Sequence, residues 1–198
     1  MKRALLSIAL TCACAAQTAS TSQPSASAGT SGAGTSKAAT AGAESSAGAA
    51  LSATLEGRSG STLTGTARFT SAEGGVRAHV ELQGATPGEH GLHVHEKGDC
   101  SDPKAASAGG HFNPGAAEHH GGPSASVRHG GDLGNITVDQ SGKGTLDVTV
   151  QGLSTAAGTN GIEGRAIVVH EKADDLKSDP AGNSGARIGC GVIKAAAP

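Results

Sequence analysis

V-R-A-H-V-E-L (76–82) puts Val76, Ala78, Val80 and Leu82 at every second position, with Arg77, His79 and Glu81 between them. Side chains of a strand alternate faces, so this stretch has one apolar and one polar face and reads as a half-buried β-strand. His79, on the polar face, reads as a surface residue. The same period recurs elsewhere. Leu146, Val148 and Val150 alternate with Asp147 and Thr149, and Ile136 and Val138 alternate with Thr137 and Asp139. Leu63, Ala67 and Phe69 share one parity with Gly65 between them, and strand signals begin near Leu51. Ser71-Ala72-Glu73-Gly74-Gly75 and Ser141-Gly142-Lys143-Gly144 read as turns. No stretch carries an amphipathic helical period. About eight strands in this rhythm predict an all-β fold, an antiparallel sandwich or barrel, over residues 51–198.

The composition supports this. With Phe69 and Phe112 as the only aromatics, the core has to be built from Val, Leu, Ile and Ala. The 32 glycines suit many turns between short strands. A formal charge of −2 gives no general attraction to nucleic acid or to an anionic membrane, so any charge steering has to be local.

Residues 1–16 read as an export signal. Met1-Lys2-Arg3 is basic, Ala4 to Leu10 is a short apolar run, and Ala13, Cys14, Ala15 and Ala16 are small. The run is too short to span a bilayer as a mature helix. Two fates are open: cleavage near Ala15 or Ala16, or lipidation of Cys12 or Cys14. Residues 17–50 are almost entirely Ser, Ala, Thr and Gly. Such a segment buries too little apolar surface to offset its ordering entropy and reads as a flexible linker. These features predict an exported protein, periplasmic or lipid-anchored at the cell envelope.

Two long stretches break the strand rhythm, Glu96 to Gly131 and Glu171 to Ala186. Structureless loops of that length are usually functional. Ligand-type residues sit at their edges and inside them. In H-V-H, His93 and His95 point to one face of a strand while Leu92 and Val94 point to the other. His111, His120, His129 and Asp132 follow at spacings of 9, 9 and 3, and His170 closes A-I-V-V-H. Neutral imidazole is a common donor to copper and zinc. Three imidazoles and a carboxylate suit a closed tetrahedral zinc shell, whereas His93, His95 and His170 form a more open nitrogen set suited to Cu(II). His111 fits either set, and an imidazolate with its two nitrogens can bridge both ions.

The chain resembles the copper/zinc superoxide dismutase family. The resemblance rests on G-L-H-V-H-E-K-G-D-C (91–100), A-G-G-H-F-N-P (108–114), H-G-G-P (120–123), R-H-G-G-D-L-G-N (128–135), G-R-A-I-V-V-H-E-K-A-D-D-L (164–176) and G-N-S-G-A-R-I-G-C-G-V-I (182–193). It implies an eight-stranded antiparallel Greek-key barrel or sandwich with two long functional loops. It implies one copper per chain on His93, His95, His111 and His170, and one zinc on His111, His120, His129 and Asp132. The residue directly before Gly121-Gly122-Pro123 matches the family ligand, which selects His120 over His119. Asp174 becomes the carboxylate linking His93 to His120, and Arg187 the arginine beside the open copper position. His90 reads as a loop or strand-edge residue, and Asn135-Ile136-Thr137 as strand sequence that happens to match a glycosylation pattern.

Two cysteines, Cys100 and Cys190, remain after the leader, and in an oxidising compartment two such residues usually pair. The family carries this same bridge; two buried free thiols are the alternative. The resemblance implies dismutation of superoxide to oxygen and hydrogen peroxide, with His111 taking a proton and passing it to the product and Arg187, Lys172 and Lys177 as candidates to draw in the anion. Asp174, Asp175 and Asp179 would offset that charge. A non-catalytic copper/zinc binding or delivery domain would need the histidines but not Arg187, and an adhesive β-sandwich would need neither. The chain is expected to be a monomer or a homodimer.

Overall fold

The computed structural model describes residues 50–197. The expected export signal (1–16) and nearly all of the expected linker (17–50) lie outside them. Among the described residues nine strands are present: β1 (Leu51–Gly57), β2 (Thr64–Ala72), β3 (Gly75–Gln83), β4 (Gly88–His95), β5 (Asp132–Val138), β6 (Gly144–Gln151), β7 (Ala166–His170), β8 (Arg187–Val192) and the two-residue β9 (Lys194–Ala195). They pair in the order β2-β3-β6-β5-β4-β7-β8-β1, and β1 pairs back onto β2, so the first eight strands close into a barrel. Every pairing between strands is antiparallel, and β9 adds to the edge of β1. The non-consecutive neighbours β3–β6 and β4–β7 give the Greek-key order. The barrel expected from the sequence is therefore present. Among the described residues the one helical piece is a 3-10 turn, Ala106–Ala108.

The alternating residues do what their period predicts. Val76, Ala78, Val80 and Leu82 of β3 face the barrel core, joined by Leu51 and Leu55 of β1 and by Phe69 of β2. Fully burying each such large aliphatic or aromatic side chain contributes roughly 1.5–3 kcal/mol.

β4 and β7 break the alternation because both their faces are covered, which is why β7 is buried throughout. Leu92, Val94, Ile167 and Val169 point into the barrel. On the other face Ala166 and Val168 pack on Ala105 and Ala108 of the first long loop and on Cys190. His93 pairs with Val168 and His95 with Ala166, so the two histidines share that loop-covered face.

The two long loops fall where the sequence put them, between β4 and β5 and between β7 and β8. A third connection, 152–165, joins β6 to β7. It sends Leu153 and Ile162 into the core and lays Arg165 over the Phe112 ring at 3.5 Å, a cation–π contact. Arg165 also donates to the Glu96 carbonyl at 2.7 Å, which ties this connection to the start of the first loop.

Candidate metal centre

The first loop returns to the barrel through a single bridge, His95 opposite His111, and through Phe112 N–H donating to Val94 O at 2.8 Å. This brings His111 onto the face that carries His93 and His95. A register shift in the β4–β5 ladder between Gly91 and His93 sets His93 opposite Asp132. The four side chains His93, His95, His111 and His170 come together, with one donor atom from each lying within 4.8 Å of the others. His111, His120, His129 and Asp132 form a second group by the same measure. All the expected ligand residues are thus brought together, and His111 belongs to both groups. The His93 and His111 ring centroids are 4.0 Å apart, and those of His111 and His129 are 5.5 Å apart.

Each ring except that of His129 has one nitrogen occupied and one left over. His95 Nδ1 donates to Gly109 O at 3.0 Å and His170 Nδ1 to Gly185 O at 3.3 Å, which leaves their Nε2 atoms facing each other at 3.5 Å. His93 Nε2 donates to Asp174 Oδ2 and His120 Nε2 to Asp174 Oδ1, both at 2.8 Å. The buried atoms His93 Nδ1, His111 Nε2, His120 Nδ1 and His129 Nδ1 have no hydrogen-bond partner among the described residues. A buried imidazole nitrogen without a partner is costly in apolar surroundings. Several of them converging on one place is what a metal ion satisfies, so the donor set fits copper in the first group and zinc in the second.

Asp132 organises the second group. Its Oδ1 accepts from His111 Nδ1 at 2.8 Å, while its Oδ2 accepts the His129 and Gly121 amides at 2.9 and 3.1 Å. His120 Nδ1 also stands 3.1 Å from Oδ2, without hydrogen-bond geometry, as two ligands of one ion would.

The charges follow from burial and partners. Burial would raise the Asp132 carboxyl, but His111 and His120 outweigh it and hold it below the usual carboxylate range. Burial likewise opposes Asp174, and His120 and His93 hold it low. Burial pushes His93 down to about 4, His170 to about 3 and His95 to about 2, so these rings stay neutral and able to donate to a metal. Burial also opposes charge on His120, but the Asp132 and Asp174 carboxylates win and raise it to about 9.

Arg187 opens β8 directly across from His170. Its guanidinium donates to Ala105 O and Gly109 O, both at 2.7 Å, so the first loop fixes its direction. It lines a surface depression with Gly109 and Gly185, the residues whose carbonyls hold His95 and His170. Lys104 also lines this opening, whereas Lys172 and Lys177 do not.

His90 departs from expectation. It is a buried residue of β4, with Nδ1 2.8 Å from His170 O and Nε2 2.8 Å from Thr86 O. β5 on one side and the turn into the second loop on the other cover it, so it is neither a loop nor an edge residue. His79 is half-exposed, 3.4 Å from Asp147, in keeping with a place on the polar face. Cys100 and Cys190 are bonded. Three site residues escaped the sequence reading. Asn135 holds the Asp174 backbone. Asp179 accepts the His120 amide. Gly182, at φ 61°, lies where a Cβ would overlap Asp174 Oδ1 and stand 2.8 Å from His120 Nε2.

The sequence profile of the copper/zinc superoxide dismutase (SODC) family matches residues 63–193. A superoxide dismutase [Cu-Zn] of Deinococcus radiodurans is 45% identical over 67% of this chain and 78% of its own length. That of Caulobacter vibrioides is 39% identical over 66% of this chain and 78% of its own. An extracellular superoxide dismutase [Cu-Zn] of Drosophila melanogaster is 44% identical over 65% of this chain and 74% of its own. The crystal structure of the clock protein EA4 aligns with a TM-score of 0.67 at 42% identity, over 75% of this chain and 95% of that one.

Proposed function

The chain belongs to the copper/zinc superoxide dismutase family, and from that premise we propose that it dismutates superoxide outside the cytoplasm. His93, His95, His111 and His170 would hold one copper per chain, and His111, His120, His129 and Asp132 one zinc. Copper there would supply the one-electron couple that converts two superoxides and two protons to O2 and H2O2. Arg187 binds the anion at the opening over the first group by charge-assisted hydrogen bonds. His111 Nε2 holds and passes a proton at that position, while Nδ1 stays with the zinc group. Asp174 keeps His93 and His120 in the tautomers that free their Nδ1 atoms, as a carboxylate outside a metal shell does.

His111 is the observation that carries this reading: one ring shared by both groups, with Nδ1 on Asp132 and a buried, partnerless Nε2. Arg187 at the mouth favours an enzyme over a metal store, because it adds nothing to metal binding. An export signal over 1–16, a linker over 17–50 and a catalytic domain over 51–198 complete the proposed layout. It places the protein in the periplasm or on a lipid anchor, as a monomer or homodimer.

Metal analysis with a superoxide assay on the purified chain tests this. One copper, one zinc and rapid dismutation are expected. A chain loaded with both metals and inert toward superoxide would instead be a binding or delivery protein.

A further inference from the structure

The second long loop carries two carboxylates that reach the same histidine. Asp174 takes the ring of His120, at Nε2. Asp179 takes its main chain: Oδ1 accepts the His120 amide N–H at 2.6 Å, and Oδ2 accepts from His119 Nδ1 at 2.8 Å. His119 is 64% exposed and Asp179 48%, so this pair forms the outer end of the grip. The position of Asp179 is itself set by Asp175, which accepts the Lys177 and Ser178 amides, the Ser178 hydroxyl and the Asn183 side-chain amide. The loop is thereby a small rigid frame rather than a loose strap.

A ring held only at Nε2 swings with its backbone, and Nδ1 is the His120 atom that faces Asp132. Fixing the amide as well leaves the ring little freedom. We infer that Asp179 is a positioning residue for the zinc shell: by holding the His120 amide it sets where His120 Nδ1 stands relative to Asp132, and so couples zinc retention to the second loop. The inference rests on the zinc shell proposed above. His119, the neighbour that donates no atom to either group, gains a role as the outer brace of Asp179.

Zinc affinity of the full-length chain, by chelator competition, tests this together with the visible spectrum of the cobalt-substituted zinc site. Asp179→Ala should weaken zinc binding about ten- to a hundred-fold, the usual cost of losing a partner outside a metal shell. Its cobalt bands should shift and its copper content should not change. Asp179→Asn keeps an oxygen for the His120 amide and should bind zinc close to wild type. His119→Ala leaves that contact intact and should also keep zinc. Unchanged zinc affinity in Asp179→Ala overturns the role, as does an Asp179→Asn variant as weak as Asp179→Ala. Joint loss of copper and zinc with a lower melting temperature of the metal-free protein makes Asp179 a folding residue and overturns it too. A wild type that binds no zinc overturns the shell itself, a result separable from all of these.

Discussion

Asn135 and Asp174 hold each other by two hydrogen bonds: Asn135 Nδ2 donates to Asp174 O at 2.9 Å, and the Asp174 amide donates to Asn135 Oδ1 at 2.7 Å. A β5 side chain thus mimics a strand partner for the second loop, at the one residue whose carboxylate joins His93 and His120. Asn135→Ala removes both bonds and leaves two partly buried backbone groups unpaired, a cost of about 2 kcal/mol. Denaturant melts should show that loss. Asn135→Asp should restore part of it, since it keeps an acceptor for the Asp174 amide and loses the donor. A melt of Asn135→Ala that overlays the wild type would remove Asn135 from the site.

The sequence carried the strands because a period of two is local. Val76 to Leu82 announces its buried face without reference to any partner. It carried His95 and His170 because they end strands from which long loops depart, and His93 because it shares a strand face with His95. Asn135, Asp179 and Gly182 were not legible in that way. Each acts on a residue tens of positions distant or across a loop, and nothing in its neighbours marks the meeting. His90 was misread for a related reason: its cover comes from β5 and from the turn after β7, not from its own strand. The 152–165 connection hid because its two buried residues, Leu153 and Ile162, are isolated apolar points with no period.

His120 and His119 are adjacent but differ in kind. The first is buried with its Nδ1 free toward Asp132, and the second is exposed and engaged with Asp179. His120→Ala should therefore lose zinc while copper stays, and His119→Ala should keep both. Elemental analysis after dialysis reads the difference. Equal zinc in the two variants would contradict the assignment.

Acid should destabilise the metal-free protein from about pH 6.5 downward. His93, His95 and His170 have folded values depressed by burial, to about 4, 2 and 3. The unfolded chain takes up their protons near the ordinary value of about 6.5, while the folded protein refuses them. Their contribution is present above pH 6.5 and is lost as pH falls toward the folded values. Each proton accounts for up to about 1.4 kcal/mol per pH unit. His120 runs the other way: raised to about 9, it contributes below 6.5 and loses that contribution as pH climbs through 9. Between pH 6.5 and 4 His120 is charged in both states and drops out, so unfolding should take up protons on the three depressed rings. Urea midpoints of the metal-free chain should fall over that range, and a flat profile would refute the neutral buried state of the three rings.

Arg187 should govern turnover without governing metal content. Arg187→Ala should keep copper and zinc yet lose roughly ten- to a hundred-fold in kcat/KM, the worth of one or so charge-assisted hydrogen bonds expressed in the transition state. Arg187→Lys should recover only part of the rate. An ammonium restores the charge but lacks the planar fork that meets Ala105 O and Gly109 O together. Added salt should slow the wild type, because the substrate is an anion drawn by local charge. A fully active Arg187→Ala enzyme would leave the family assignment standing and remove this residue's part in it.

The Cys100–Cys190 bond should matter to activity through that same arginine. It joins the first loop to β8, which begins with Arg187 itself. The loop segment it anchors carries the Ala105 and Gly109 carbonyls that aim the guanidinium, and Gly109 also holds His95. Arg58 adds a clasp, donating to Cys100 O at 2.9 Å. Closing a sequence separation of 90 contributes about 4–5 kcal/mol on the loop-entropy account, so Cys100→Ser should lower stability on that scale. Under conditions where the variant is still folded, the zinc group should be intact, since His120, His129 and Asp132 are held by Asp174, Asp179 and their own amides. Dismutation should nonetheless fall, by loss of arginine alignment. Zinc analysis, a melt and a superoxide assay on Cys100→Ser separate the two effects: full activity in the folded variant would show that Arg187 is aimed without the bridge.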